Sequence, residues 1–84
     1  MERLDNLIDH LDERVEGFGP DTWISICDEQ GNLYYEGIAD WLYETVIDMV
    51  SDGIYLLASS VLNWRVTRTG EIRIKIKPKL DTDG

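Results

Sequence analysis

The chain has one cysteine and one histidine among its 84 residues. A lone cysteine excludes an internal disulfide framework and a multi-cysteine zinc site. A lone histidine, His10, leaves no second imidazole with which to build a paired metal site. Long apolar runs are missing too: nothing approaches the ~18 residues of a membrane span. The opening Met1-Glu2-Arg3-Leu4-Asp5 lacks the charged-then-apolar layout of a signal peptide, so a cytoplasmic location is expected. There is no P-loop, no dinucleotide fingerprint and no Gly-x-Ser-x-Gly elbow. Low-complexity tracts, internal repeats and linkers are absent as well, so residues 1–80 read as one domain and 81–84 as a frayed end. Cations are scarce. Eight Lys and Arg stand against 17 Asp and Glu, for a net charge of −9.

What is present argues for a folded domain. The hydrophobic fraction is 43%, with three Trp, four Tyr and one Phe, far from the composition of a solvated acidic tail. Charge is distributed unevenly. Residues 1–63 carry fourteen acids against Arg3 and Arg14, a net of −12, whereas residues 64–80 carry six cations against Glu71, a net of +5. Such asymmetry concerns partners and self-association rather than fold.

Hydrophobic spacing predicts a helix over residues 3–16, with Leu4, Leu7, Ile8, Leu11 and Val15 on one stripe and Gly17, Gly19 and Pro20 ending it. Thr22–Cys27 reads as a strand, with Trp23, Ser25 and Cys27 on one face and Thr22, Ile24 and Ile26 on the other. Asp28-Glu29-Gln30-Gly31-Asn32 supplies turn chemistry, and Leu33–Glu36 returns as a second strand. A second helix is expected from Ile38 to Ser51, with Ile38, Trp41, Leu42, Thr45, Val46, Met49 and Val50 as its stripe. Ile54–Ala58 reads as strand, bent or bulged at Ser59-Ser60, and Leu62, Trp64 and Val66 alternate after it. Thr69-Gly70 turns the chain into Glu71–Lys77, where Ile72, Ile74 and Ile76 alternate with Arg73, Lys75 and Lys77 until Pro78 stops the strand. The expected fold is therefore a single small α+β domain in α-β-β-α-β-β order, an antiparallel sheet with two amphipathic helices on one face. Its expected core includes Leu7, Leu11, Ile24, Ile26, Trp41, Val46, Ile72 and Ile74.

The sequence offers little for catalysis. His10 falls on the expected solvent side of a helix, which is no pocket. Cys27 has Asp28 beside it, and a neighbouring carboxylate disfavours the thiolate that a nucleophile needs. The Asp28–Asn32 segment fails as a calcium loop, because its twelfth position is Ala39 where a glutamate is required. No catalytic, cofactor or metal residue is expected. Two charged features remain. Asp5, Asp9, Asp12 and Glu16 on the first helix, and Asp40, Glu44 and Asp48 on the second, repeat at three or four residues and set carboxylates ~6 Å apart. Arg65, Arg73, Lys75 and Lys77 form a basic ribbon near the C-terminus. Direct nucleic-acid binding through that ribbon is disfavoured by the overall −9 and by Trp64 falling in the inward register.

Residues 23–37, Trp-Ile-Ser-Ile-Cys-Asp-Glu-Gln-Gly-Asn-Leu-Tyr-Tyr-Glu-Gly, followed by Ile38-Ala39-Asp40-Trp41-Leu42 and a strand-rich end, resemble the opening of short proteins from phages and mobile elements of Gram-positive bacteria. The resemblance extends over residues 23–77. It implies an accessory protein of a mobile element and assigns no site residues.

The expected function is that of a small acidic, non-enzymatic interaction protein, an acidic decoy or inhibitor of a basic or nucleic-acid-handling partner. The alternatives are a self-associating homodimeric domain and a nucleic-acid binder acting through the basic hairpin.

Overall fold

A computed structural model describes residues 2–47 and 55–79. The apolar stripe of residues 3–16 does fold as helix, in two pieces, α1 (Leu4–Asp9) and α2 (Leu11–Arg14). The break at His10 (φ −114°, ψ 6°) has a local cause. The Nδ1–H of His10 donates to the Asn6 carbonyl at 2.7 Å, the acceptor an uninterrupted helix would offer to the His10 amide. That amide turns instead to the Leu7 carbonyl at 3.1 Å, a tighter i→i−3 bond. The stripe survives the break, and Leu4, Leu7, Ile8, Leu11 and Val15 are all buried.

Two hairpins follow the period-2 pattern. Strands β1 (Trp23–Asp28) and β2 (Leu33–Ile38) pair antiparallel, as do β3 (Ser60–Val66) and β4 (Ile72–Lys77). Each turn holds a glycine in the left-handed region, Gly31 at φ 88° and Gly70 at φ 84°, where a side chain is strained. The expected all-antiparallel sheet is corrected here: the order is β2-β1-β4-β3, and the two central strands β1 and β4 run parallel. The reason lies in the connection between the hairpins. The chain leaves β2 at one edge, passes through a 3-10 turn (Ala39–Trp41) and α3 (Leu42–Ile47), and begins β3 at the other edge. The crossover carries the chain back to the end of the sheet at which β2 began, so β2 and β3 share a direction, and so must their inner partners.

One face of the sheet is covered. Ile24 and Ile26 of β1 and Ile72, Ile74 and Ile76 of β4 meet Leu4, Leu7, Leu11, Leu42 and Leu56 in a single core. Each such side chain contributes about 1.5–3 kcal/mol by leaving water.

Three further expectations change. Trp41 lies outside the core with 62% of its surface exposed, while Leu42 beside it is buried. The segment opens as a 3-10 turn rather than as α-helix from Ile38, and three residues per turn carry Trp41 off the apolar stripe. Residues 55–58 are not strand. Leu56–Ala58 form a 3-10 turn that buries Leu56 and Ser59. The Ser59 hydroxyl donates to the Tyr55 carbonyl (3.2 Å) and accepts from the Lys79 amide (2.9 Å), which ties the turn to the chain beyond β4. The expected continuation of the second helix to Ser51 falls outside the described residues, as do Asp48 and the side chain of Val46.

Candidate interaction surface

No described residue covers the sheet face away from the helices, and the strand register lays its side chains out in rows. Glu36, Ser25, Arg73 and Arg65 lie side by side across β2, β1, β4 and β3. The next row is Leu33, Cys27, Lys75 and Asn63. Arg65 and Arg73 are direct register partners, and Lys75 and Lys77 continue along β4 at ~6.8 Å intervals. Four of the six cations of residues 64–80 thus share one surface. Arg65, Arg73 and Lys75 line a shallow groove of about 380 Å³ with Asn63 and Cys27. None of Arg65, Arg73, Lys75 and Lys77 has a carboxylate partner among the described residues; the ion pairs there are Arg3–Asp5 (2.9 Å) and Arg14–Glu2 (2.6 Å). Trp23, 41% exposed, stands on the same face one step further along β1.

Most carboxylates project from the opposite, helical side, but not as the two continuous rows expected. Asp5 is half-buried, paired with Arg3 and accepting the Asn6 amide at 2.7 Å. Asp9 ends α1 and Asp12 lies in α2, across the His10 break, and Glu16 lies beyond the end of α2. Asp9, Asp12 and Glu16 are all exposed. Asp40 in the 3-10 turn and Glu44 in α3 are also exposed and flank Trp41. Both cations of residues 1–63 are engaged. Arg14 grips Glu2 with both guanidinium nitrogens (2.6 and 2.8 Å), which holds the Glu2 carboxyl below its ordinary pKa, and Arg3 holds Asp5. The molecule is electrically two-sided, acidic over the helices and basic over the outer half of the open sheet.

The most perturbed carboxyl group belongs to Asp28 and is committed to structure. It accepts four hydrogen bonds, from the Gln30 amide (2.8 Å), the Asn32 amide (2.9 Å), Asn32 Nδ2 (2.9 Å) and the Tyr34 hydroxyl (2.9 Å). These donors, the Asn32 side chain foremost, lower its pKa to about 2. Asp28 is the clasp of the first hairpin, and the burial of its side chain was not visible in the turn sequence. His10 is occupied by its bond to Asn6, and Cys27 lines the cationic groove.

No protein-family model, curated protein or solved structure matches the chain. Among the described residues no group of three or more His, Cys, Asp or Glu is placed to hold a metal ion. No helix among them is long and apolar enough to cross a membrane.

Sequence reading did not identify Trp41 as a surface feature, and it set Arg65 and Arg73 on one face of the C-terminal hairpin without pairing them. Alternation had placed each arginine outward, but only strand pairing sets them side by side.

Proposed function

We propose that this protein is a small acidic, non-catalytic interaction protein whose helical side engages a basic partner, of the kind that handles nucleic acid. The separation of charge carries the reading. Exposed Asp12, Glu16, Asp40 and Glu44 stand on the helical side, and the two cations of that half of the chain are already bound to Glu2 and Asp5. Negative charge that is not spent internally raises the local potential and steers a basic partner to that side. The non-catalytic part of the proposal rests on the side chains suited to chemistry: Asp28 clasps a turn and His10 bonds a helix carbonyl. The resemblance of residues 23–77 to mobile-element proteins makes an accessory role in such an element the proposed setting.

Capture of partners from a cell extract at low and high salt tests this, with the parent chain compared against D12N/E16Q and D40N/E44Q. Basic proteins retained by the parent, released as salt screens exposed charges over about 10 Å at 0.1 M, and lost with the amide variants are the expected result. Capture that ignores both the salt and the amide substitutions contradicts the proposal.

A further inference from the structure

We propose that the cationic groove on the uncovered sheet face docks a second copy of this chain, which presents Trp41 flanked by Asp40 and Glu44. Two independent observations meet in this inference. The first is an unbalanced charge cluster. Arg65 and Arg73 are register partners, and like charges directly opposite on a sheet destabilise it. Lys75 adds a third cation to the same groove, and none of the three has a carboxylate partner among the described residues. Among the described residues no carboxylate pairs with them, and a ligand that places carboxylates between these groups relieves the repulsion. Two guanidinium forks suit carboxylates in particular, because each offers paired N–H donors.

The second observation is Trp41. It is the most exposed of the large hydrophobic side chains described, at 62%, and in the chain exposed Asp40 precedes it and exposed Glu44 follows it by three residues. Tryptophan is enriched among the residues that anchor interfaces, and its indole face attracts guanidinium groups. An indole and two carboxylates together complement, in both charge and ring chemistry, a groove holding two guanidinium groups and an ammonium. The two surfaces lie on opposite layers of the fold, so the contact is head-to-tail and leaves a free groove at one end and a free Trp41 at the other. A charge of −9 on every copy opposes the approach, so the association is weak and is best sought where salt has shortened the screening length to about 8 Å, near 0.15 M. This inference goes beyond the proposed basic partner, since it uses the cations of the sheet, and substitutions in the groove leave the acidic side intact.

Light scattering of the full chain between about 10 μM and 1 mM at 0.15 M salt, the range in which weak contacts saturate, is the first arm. The parent is expected to gain mass with concentration beyond a dimer, whereas W41A alone and R65Q/R73Q alone stay monomeric. Mixed together, these two variants are expected to form a one-to-one heterodimer and nothing larger, because each supplies the surface the other lacks. Cys27 gives a readout inside the groove: its alkylation by a neutral reagent in W41A should slow about tenfold when R65Q/R73Q is added at ten times the dissociation constant. If either variant melts differently from the parent, D40K/E44K and R65E/R73E replace the pair: each alone is expected to stay monomeric, and their mixture, which has two matched contacts, to grow beyond a dimer. A parent that stays monomeric to 1 mM, a W41A chain that associates like the parent, or a mixture that does not associate overturns the proposal. So does a short single-stranded oligonucleotide that protects Cys27 equally in parent and W41A while the chain stays monomeric, which assigns the groove to nucleic acid.

Discussion

Truncating Leu11 to alanine removes three carbons from a side chain with no exposed surface, on the only described segment that carries the helical stripe past the His10 break. The loss has two parts, the transfer free energy of the missing groups and the cavity left where neighbours cannot close in. Together they amount to about 2–5 kcal/mol for a buried leucine. A domain of this length has a total stability of about 4–13 kcal/mol, so the substitution removes a large fraction of it. At about 4–8 °C per kcal/mol for a small domain, a loss of about 3 kcal/mol lowers Tm by about 12–24 °C. Thermal melting followed by circular dichroism reads the shift. Urea unfolding checks that the slope is unchanged, which places the effect on the native core rather than on the unfolded chain. Trp41→Ala is the internal control, because the larger side chain lies mostly in water and its truncation should change stability by less than about 0.5 kcal/mol. If Leu11→Ala melted within about 3 °C of the parent, or Trp41→Ala lost as much as Leu11→Ala, the assignment of core and surface on this side of the fold would be wrong.

Three other outcomes are expected. The Asp28 carboxyl group is held below its ordinary 3.8 at about 2, so its contribution to stability is fully present above pH 4 and is lost as pH falls toward 2; Asp28→Asn should flatten the parent's decline in urea midpoint over that range, and parallel declines would refute the clasp. At Gly37 an added Cβ would lie 2.9 Å from the Tyr35 hydroxyl, which donates to the Ile38 carbonyl at 2.5 Å. Gly37→Ala should therefore cost about 1–3 kcal/mol, and less in a Tyr35→Phe background, as a double-mutant cycle in urea would measure. Ser59→Ala removes the buried hydroxyl that accepts the part-buried Lys79 amide, a loss of about 0.5–1.5 kcal/mol by thermal melting; a parent-like melt would mean that the residue 55–59 turn is not tied to the end of β4 through this hydroxyl.

Much of the architecture was legible in local pattern. The alternation of Ile72, Ile74 and Ile76 with Arg73, Lys75 and Lys77 set the inward and outward faces of β4, because side chains on a strand repeat every two residues whatever the strand pairs with. The stripe Leu4, Leu7, Ile8, Leu11 and Val15 set the buried side of α1 and α2, and Gly31 and Gly70 marked turns that need a left-handed backbone. The calcium-loop reading failed on the sequence alone, for want of a glutamate at Ala39.

Tertiary structure decided the rest, and in each case through a contact between residues distant in sequence or a competition that the local pattern does not rank. The parallel pairing of β1 with β4 followed from the helical crossover between hairpins, which no strand's own sequence specifies. The 3-10 opening at Ala39 sent Trp41 outward and gave the core to Leu42, although both satisfy the same helical stripe. A net charge of −9 says nothing about sides. Only the register, with Arg65 opposite Arg73 on the uncovered face and the exposed carboxylates of α2 and α3 on the other, made the chain two-sided. Residue identity and period determine which way a side chain points from its own element. Which charges then become neighbours is settled by strand pairing and by the layer the helices cover, and those are properties of the whole folded chain.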